Sequence, residues 1–427
     1  MSHVHEHLLS NGMTILCCPQ PQLHAISYGL YFRGGPLFED ADTQGVSHLL
    51  EHLCFRSLGG LDALGLNRLL DRMGTELNGE TLADAVAFTM KLHPRFFDSS
   101  LTLLERFFAA PSWTEEQLNA AKQVVLRQIE IDAGDFEDEV DLRLRGGLYH
   151  AWPVMGTPEA VAAMPADTVR AWQKRMLRPG NACLCVTGNF SPAMEDALCQ
   201  TFEELPDAPG EPFEQLTPPD FCMRTADSDY VEDAPGPVAC AHLAFDLDHE
   251  LVFPLVGEVL NAMTGADNDS LLFMTLREEQ AALAEIESEL EDTGLFRRMV
   301  IRWEVPQERL EQSLRQVFSL LHRMSLYVRA ARLDETRVQF TTNLAFLEDD
   351  AEEMNALMGA AWLCGDMTRC DLEARAAMYE DLDMEDIQNA AQSVFRPENL
   401  VISLQRDASV CLSDPAPLLR ELRGMLG

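Results

Sequence analysis

Two stretches, half a chain apart, arrange their hydrophobic and polar positions alike. Residues 164–186 read MPADTVRAWQKRMLRPGNACLCV, and residues 382–404 read LDMEDIQNAAQSVFRPENLVISL. Each predicts an acidic N-cap region, an amphipathic helix, an Arg-Pro-x-Asn turn that ends it, and a short apolar strand. Arg178, Pro179 and Asn181 recur as Arg396, Pro397 and Asn399, a separation of 218 (399 − 181). A second echo joins helix, turn and helix over 93–128 and again over 306–347. The Pro-rich stretch at 205–220, LPDAPGEPFEQLTPPD, reads as a linker between the copies. The pattern predicts two homologous α+β domains, 1–208 and 227–427, joined by a linker over 209–226. In each, a mostly antiparallel sheet should carry helices packed on one face.

Composition narrows the setting. Hydrophobic content is 47% and charged content 24%, within the range of soluble globular proteins. No run of 18 apolar residues is present, so no membrane association is expected, and no secretory signal is visible. The 11 cysteines are odd in number and scattered, with no C-x-x-C, which fits reduced thiols in a cytoplasmic protein. A net charge of −38 disfavours nucleic acid as a partner, because phosphate would be repelled.

The apolar segment GVSHLLEHLCFRS, residues 45–57, carries the candidate chemistry. Leu49, Leu50, Leu53 and Phe55 predict a short buried helix. His48 and His52 are then i and i+4 on one face and can supply two legs of a tetrahedral zinc site. Glu51 lies beside them and can work on a water there, taking its proton and later delivering it to a leaving amine. The spacing H-x-x-E-H is the inverzincin motif. Downstream, Thr114 and Gln117 predict a capping box. Ala121, Val124, Val125 and Gln128 then fall on one stripe, with Gln128 its polar member. His3, His5 and His7 alternate along one side of an extended stretch and can scavenge a metal, although a frayed end is the plainer expectation. The acidic run from Glu130 to Asp141 reads as a solvated helix end.

With these motifs the chain resembles the M16 metallopeptidases, the pitrilysin- and insulinase-like group, over nearly its whole length. The stretch from Leu9 to Ser57 resembles the family's opening strands and zinc helix, and GTELNGETLADAVAFTMKL its next strand pair. LRPGNACLCVTGNFS resembles the end of its first domain. The resemblance implies Zn2+ held by His48 and His52, with Glu51 as general base. It implies a substrate-pairing strand edge at Asn78 and Gly79, and a substrate-contacting Arg at Arg277. It also implies chains that work in pairs, closing like a clam shell around a short unfolded peptide.

Two positions depart from the family. Its third zinc ligand is a Glu on a later helix, and the matching place here is Gln128, with Ala121 where a further acidic residue is usual. Gln128 can serve as a weak, neutral ligand. Glu130 is the alternative, about 200° further round the helix and so expected to face away. The family's Tyr, about seven residues after its Arg, is replaced by Ala284 and Glu285. A second, different M16-like chain carrying the Arg/Tyr pair is therefore the expected partner. The leading expectation is a zinc endopeptidase subunit. The alternative is a weakened or non-catalytic subunit that binds peptide or shapes the chamber.

Overall fold

The computed structural model describes residues 4–132, 136–145, 152–206, 212–213, 226–248, 252–266, 270–278, 285–292, 296–328 and 330–427. The strands, in chain order, are β1 (His5–Leu8), β2 (Thr14–Pro19), β3 (Ile26–Arg33), the two-residue β4 (Ser57–Leu58) and β5 (Leu61–Asp62), β6 (Leu77–Thr81), β7 (Ala85–Leu92), β8 (Ala182–Gly188), β9 (Tyr230–Asp233), β10 (Val238–Leu247), β11 (Glu285–Asp292), β12 (Arg297–Pro306) and β13 (Leu400–Arg406). The helices are α1 (Val46–Arg56), α2 (Ala63–Met73), α3 (Phe97–Leu104), α4 (Glu115–Asp132), α5 (Phe136–Arg145), α6 (Pro158–Ala163), α7 (Ala166–Met176), α8 (Pro192–Glu203), α9 (Pro254–Asn261), the one-turn α10 (Leu271–Phe273), α11 (Leu310–Leu326), α12 (Ala330–Leu347), α13 (Ala351–Cys364), α14 (Leu372–Asp381), α15 (Met384–Val394) and α16 (Ala416–Gly424).

The larger sheet runs β1-β2-β8-β3-β7-β6, antiparallel except between β2 and β8. The second runs β11-β12-β10-β13-β9, antiparallel except between β13 and β9. Read from the opposite end, the second order matches β2-β8-β3-β7-β6 strand for strand, so the repeat seen in the sequence is a repeat of sheet topology. The Arg-Pro-x-Asn turns show why those residues recur. Asn181 Nδ2 donates to Met176 O at 2.9 Å, and Asn399 Nδ2 donates to Val394 O at 3.1 Å. Both carbonyls lie five residues upstream, at helix ends that need a partner. The strand β1 belongs to the first sheet alone among the described residues.

The α+β fold with helices layered on a mostly antiparallel sheet is what the pattern predicts. Ile26, Tyr28, Leu30 and Phe32 alternate along β3 into the core that α1, α3, α4, α7 and α8 cover. The compact units are not contiguous along the chain. The two compact units are Met1–Gln215 with Leu344–Glu373, and Leu216–Asn343 with Ala374–Gly427. The segment Leu344–Glu373 includes α13, which covers the other face of the first sheet. There Tyr31 donates to Asn355 O, Arg33 to Trp362 O and Leu363 O, and Thr187 to Asn355 Oδ1 at 2.7 Å. A Cβ on Gly359 would sit 2.3 Å from the Tyr31 ring, so only glycine lets this helix approach.

Candidate active site

Helix α1 starts under strict local control. Gly45 has φ +77°, and a Cβ there would meet Met155 O at 2.4 Å. Glu39, almost fully buried, accepts from Gly45 N at 2.7 Å through one oxygen and from Ser47 N at 2.9 Å through the other. It thereby satisfies amides that the helix leaves unpaired. Burial pushes its carboxyl up to about 7, against the lowering effect of those bonds and of His48. Ser47 Oγ accepts from Gly35 N and Trp172 Nε1, locking the first turn to the sheet and to α7.

Helix α4 is fixed against α1. The capping box forms, with Gln117 N donating to Thr114 Oγ1 and Thr114 N to Gln117 Oε1. Gln117 Nε2 also donates to Arg56 O at the end of α1. Leu118, Ala121 and Val125 are buried along the facing stripe, and Gln128 follows on it.

The structure brings His48, His52, Glu51 and Gln128 together. His48 Nε2 lies 3.2 Å from His52 Nε2 and 3.3 Å from Gln128 Oε1. Ligand atoms about 2.0–2.1 Å from a tetrahedral zinc are about 3.3 Å from one another, so these two edges fit such an ion. Glu130 is exposed and is not brought in. Burial lowers the His52 pKa, which favours the neutral ring that can ligate. Burial acts to raise Glu51, but the His48 ring, a 2.8 Å bond from Thr81 Oγ1 and His52 outweigh it, and the carboxyl is held below its ordinary value. Glu51 Oε2 lies 3.4 Å from His48 Nδ1, near enough for attraction but not aligned as a hydrogen bond, so that coupling is electrostatic.

Asn78 and Gly79 lie on β6, which pairs only with β7 among the described residues and ends the sheet. A Cβ on Gly79 would meet Phe55 at 2.7 Å and Glu51 Oε1 at 2.8 Å, so this glycine lets the strand lie directly against the carboxylate. Arg277 sits on a π-helical turn, Met274–Glu278. Its side chain and that of Glu285, the first residue of β11, lie outside what the structure describes, as does position Ala284. Glu39 and Thr81 escaped the sequence reading. Thr81 follows Gly79 by two on one strand, a same-face signal that was open to view. Glu39 gave no periodic signal.

Residues 15–145 match the family described as "Insulinase (Peptidase family M16)", and residues 163–340 match "Peptidase M16 inactive domain". A protein of Bacillus subtilis named "Uncharacterized zinc protease YmxG" is 23% identical over 300 residues, 69% of this chain and 72% of that one. The beta subunit of the mitochondrial-processing peptidase of Caenorhabditis elegans is 21% identical over 180 residues, 41% of this chain and 39% of that one. Among solved structures, a protease from Helicobacter pylori superposes with a TM-score of 0.83 at 16% identity, covering 95% of this chain and 100% of that one. A Pseudomonas fluorescens structure titled as a peptidase M16 inactive domain gives 0.82 at 16% identity, covering 95% and 98%. Together the two family matches span most of the chain, which therefore belongs to peptidase family M16.

Proposed function

We propose that this chain is a zinc-dependent endopeptidase subunit that hydrolyses short, unfolded peptides in a clam-shell chamber completed by a second, different M16-like chain. The carrying observation is the spacing of His48 Nε2, His52 Nε2 and Gln128 Oε1 beside a buried carboxylate. The names of the relatives support zinc as the ion those three side chains would hold. Such an ion supplies Lewis-acid polarisation of a scissile carbonyl. Glu51, its Oε2 anchored by Thr81, takes the proton of the attacking water and passes it to the leaving amine. The open edge of β6 at Asn78 and Gly79 accepts the peptide backbone in extended form. Arg277 contacts substrate, and the partner supplies the Tyr that this chain lacks. Free cysteines throughout the described residues support a cytoplasmic setting.

One observation favours a second reading, a weakened or non-catalytic peptide-binding subunit. Gln128 brings a neutral amide oxygen where a carboxylate would balance the ion's charge. The test is to purify the chain alone and paired with an M16-like chain that has Arg and Tyr but no H-x-x-E-H, then assay a quenched peptide. Activity is expected in the pair only, reduced about 10²–10⁴-fold by E51Q with zinc content unchanged. A metal-free, inactive pair sinks the enzyme reading and supports the second.

A further inference from the structure

The first sheet carries a second convergence of metal-binding side chains that peptide hydrolysis does not use. His5 and His7 alternate on β1, so both rings project from one face of the sheet. The β1–β2 register sets His5 opposite Cys17, which places the Cys17 thiol on that same face. Helix α8 covers it, with Glu195 and Cys199 one turn apart and Leu198 and Phe202 buried beside them. Glu195 Oε1 receives His5 Nδ1 at 2.9 Å and His7 Nε2 at 2.7 Å. Donor atoms of His7, Cys17 and Glu195 all lie within 4.8 Å of one another. Asn11 fixes the arrangement independently: its Nδ2 donates to Phe202 O and Leu205 O, tying the β1–β2 turn to the far end of α8.

We propose that His7, Cys17 and Glu195, with His5 hydrogen-bonded to Glu195 beside them, form a second site for a tetrahedral divalent ion of the zinc type. Charge balance argues for it. One neutral imidazole, one thiolate and one carboxylate neutralise a divalent cation, whereas His48, His52 and Gln128 leave its charge uncompensated. Mixed nitrogen, sulfur and oxygen donors suit zinc or cobalt and disfavour calcium or magnesium, which take oxygen. Zinc binds the thiolate form, so uptake would release the Cys17 proton. Its ligands come from β1, β2 and α8, so the ion would hold structure: it would clamp β1, an edge strand with no counterpart in the second sheet among the described residues, to β2 and α8.

The test uses tag-free full-length protein with the α1 pair removed, H48A/H52A, loaded with Co2+ and dialysed. About one cobalt per chain is expected to remain, with a thiolate-to-cobalt charge-transfer band in the near ultraviolet. Adding C17S should abolish the band, and adding H5A/H7A, which alters partly exposed side chains, should release the metal. Cobalt lost from folded H48A/H52A, or retained without the band or without regard to H5A/H7A, overturns the proposal. Should H48A/H52A fail to fold, zinc content decides: H5A/H7A alone should hold about one equivalent fewer than wild type, and an equal content overturns the proposal.

Discussion

Gln128 stands where chemistry would gain most from a charge. It has the right atom in the right place, an amide oxygen 3.3 Å from His48 Nε2, but contributes only a dipole. The Q128E variant should raise zinc affinity at α1 about 10–100-fold, measured by competition with a chromophoric chelator in the H5A/H7A background. An affinity unchanged or lowered would mean that position 128 does not ligate. The same variant should increase peptidase activity of the pair if metal occupancy limits it. Glu51 makes the complementary case: its geometry depends on Thr81 and on the absence of a side chain at Gly79, neither of which the H-x-x-E-H motif contains.

At the level of elements, the site is the junction of α1, α4 and β6, and each is set by its ends. The entry of α1 rests on Glu39, whose two oxygens hold two backbone amides. Its folded pKa, about 7, lies above the ordinary 4.5, so between those values the folded chain binds more protons than the unfolded one. Stability from this group is therefore complete below about pH 4.5 and lost as pH rises through about 7. Asp84 acts in the same direction, pushed up by burial to about 6 against Arg33. The E39Q variant leaves one amide facing an NH2 group and should cost about 1–3 kcal/mol in urea unfolding at pH 5. That cost should shrink by pH 8, because the loss from Glu39 occurs in the wild type alone, whereas the loss from Asp84 is common to both. A cost that grows with pH would contradict the role given to burial here.

For the molecule as a whole, the instructive element is α13. It comes from late in the chain yet packs on the first sheet, where Asn355 bonds Thr187 and Ser27 and Gly359 clears the Tyr31 ring. The G359A variant should lower the stability of that unit by about 1–3 kcal/mol through overpacking, read as a drop in Tm. An unchanged Tm would show that the helix shifts freely on the sheet. Among the described residues no helix is long and apolar enough to cross a membrane.

What could be seen in the sequence was whatever depends on near neighbours or on repetition. The His48–Glu51–His52 face follows from 3.6 residues per turn, and the stripe carrying Gln128 from the same period. The doubled helix–turn–strand exposed the repeated fold, because each copy needs the same asparagine to tie off its helix. The tertiary structure alone decided the rest: Glu39 under α1, α13 on the far face of the sheet, and Glu195 reaching back to His5 and His7 across about 190 residues. Those pairings arise when the chain folds back on itself, and no local period along the sequence encodes which distant surfaces will meet.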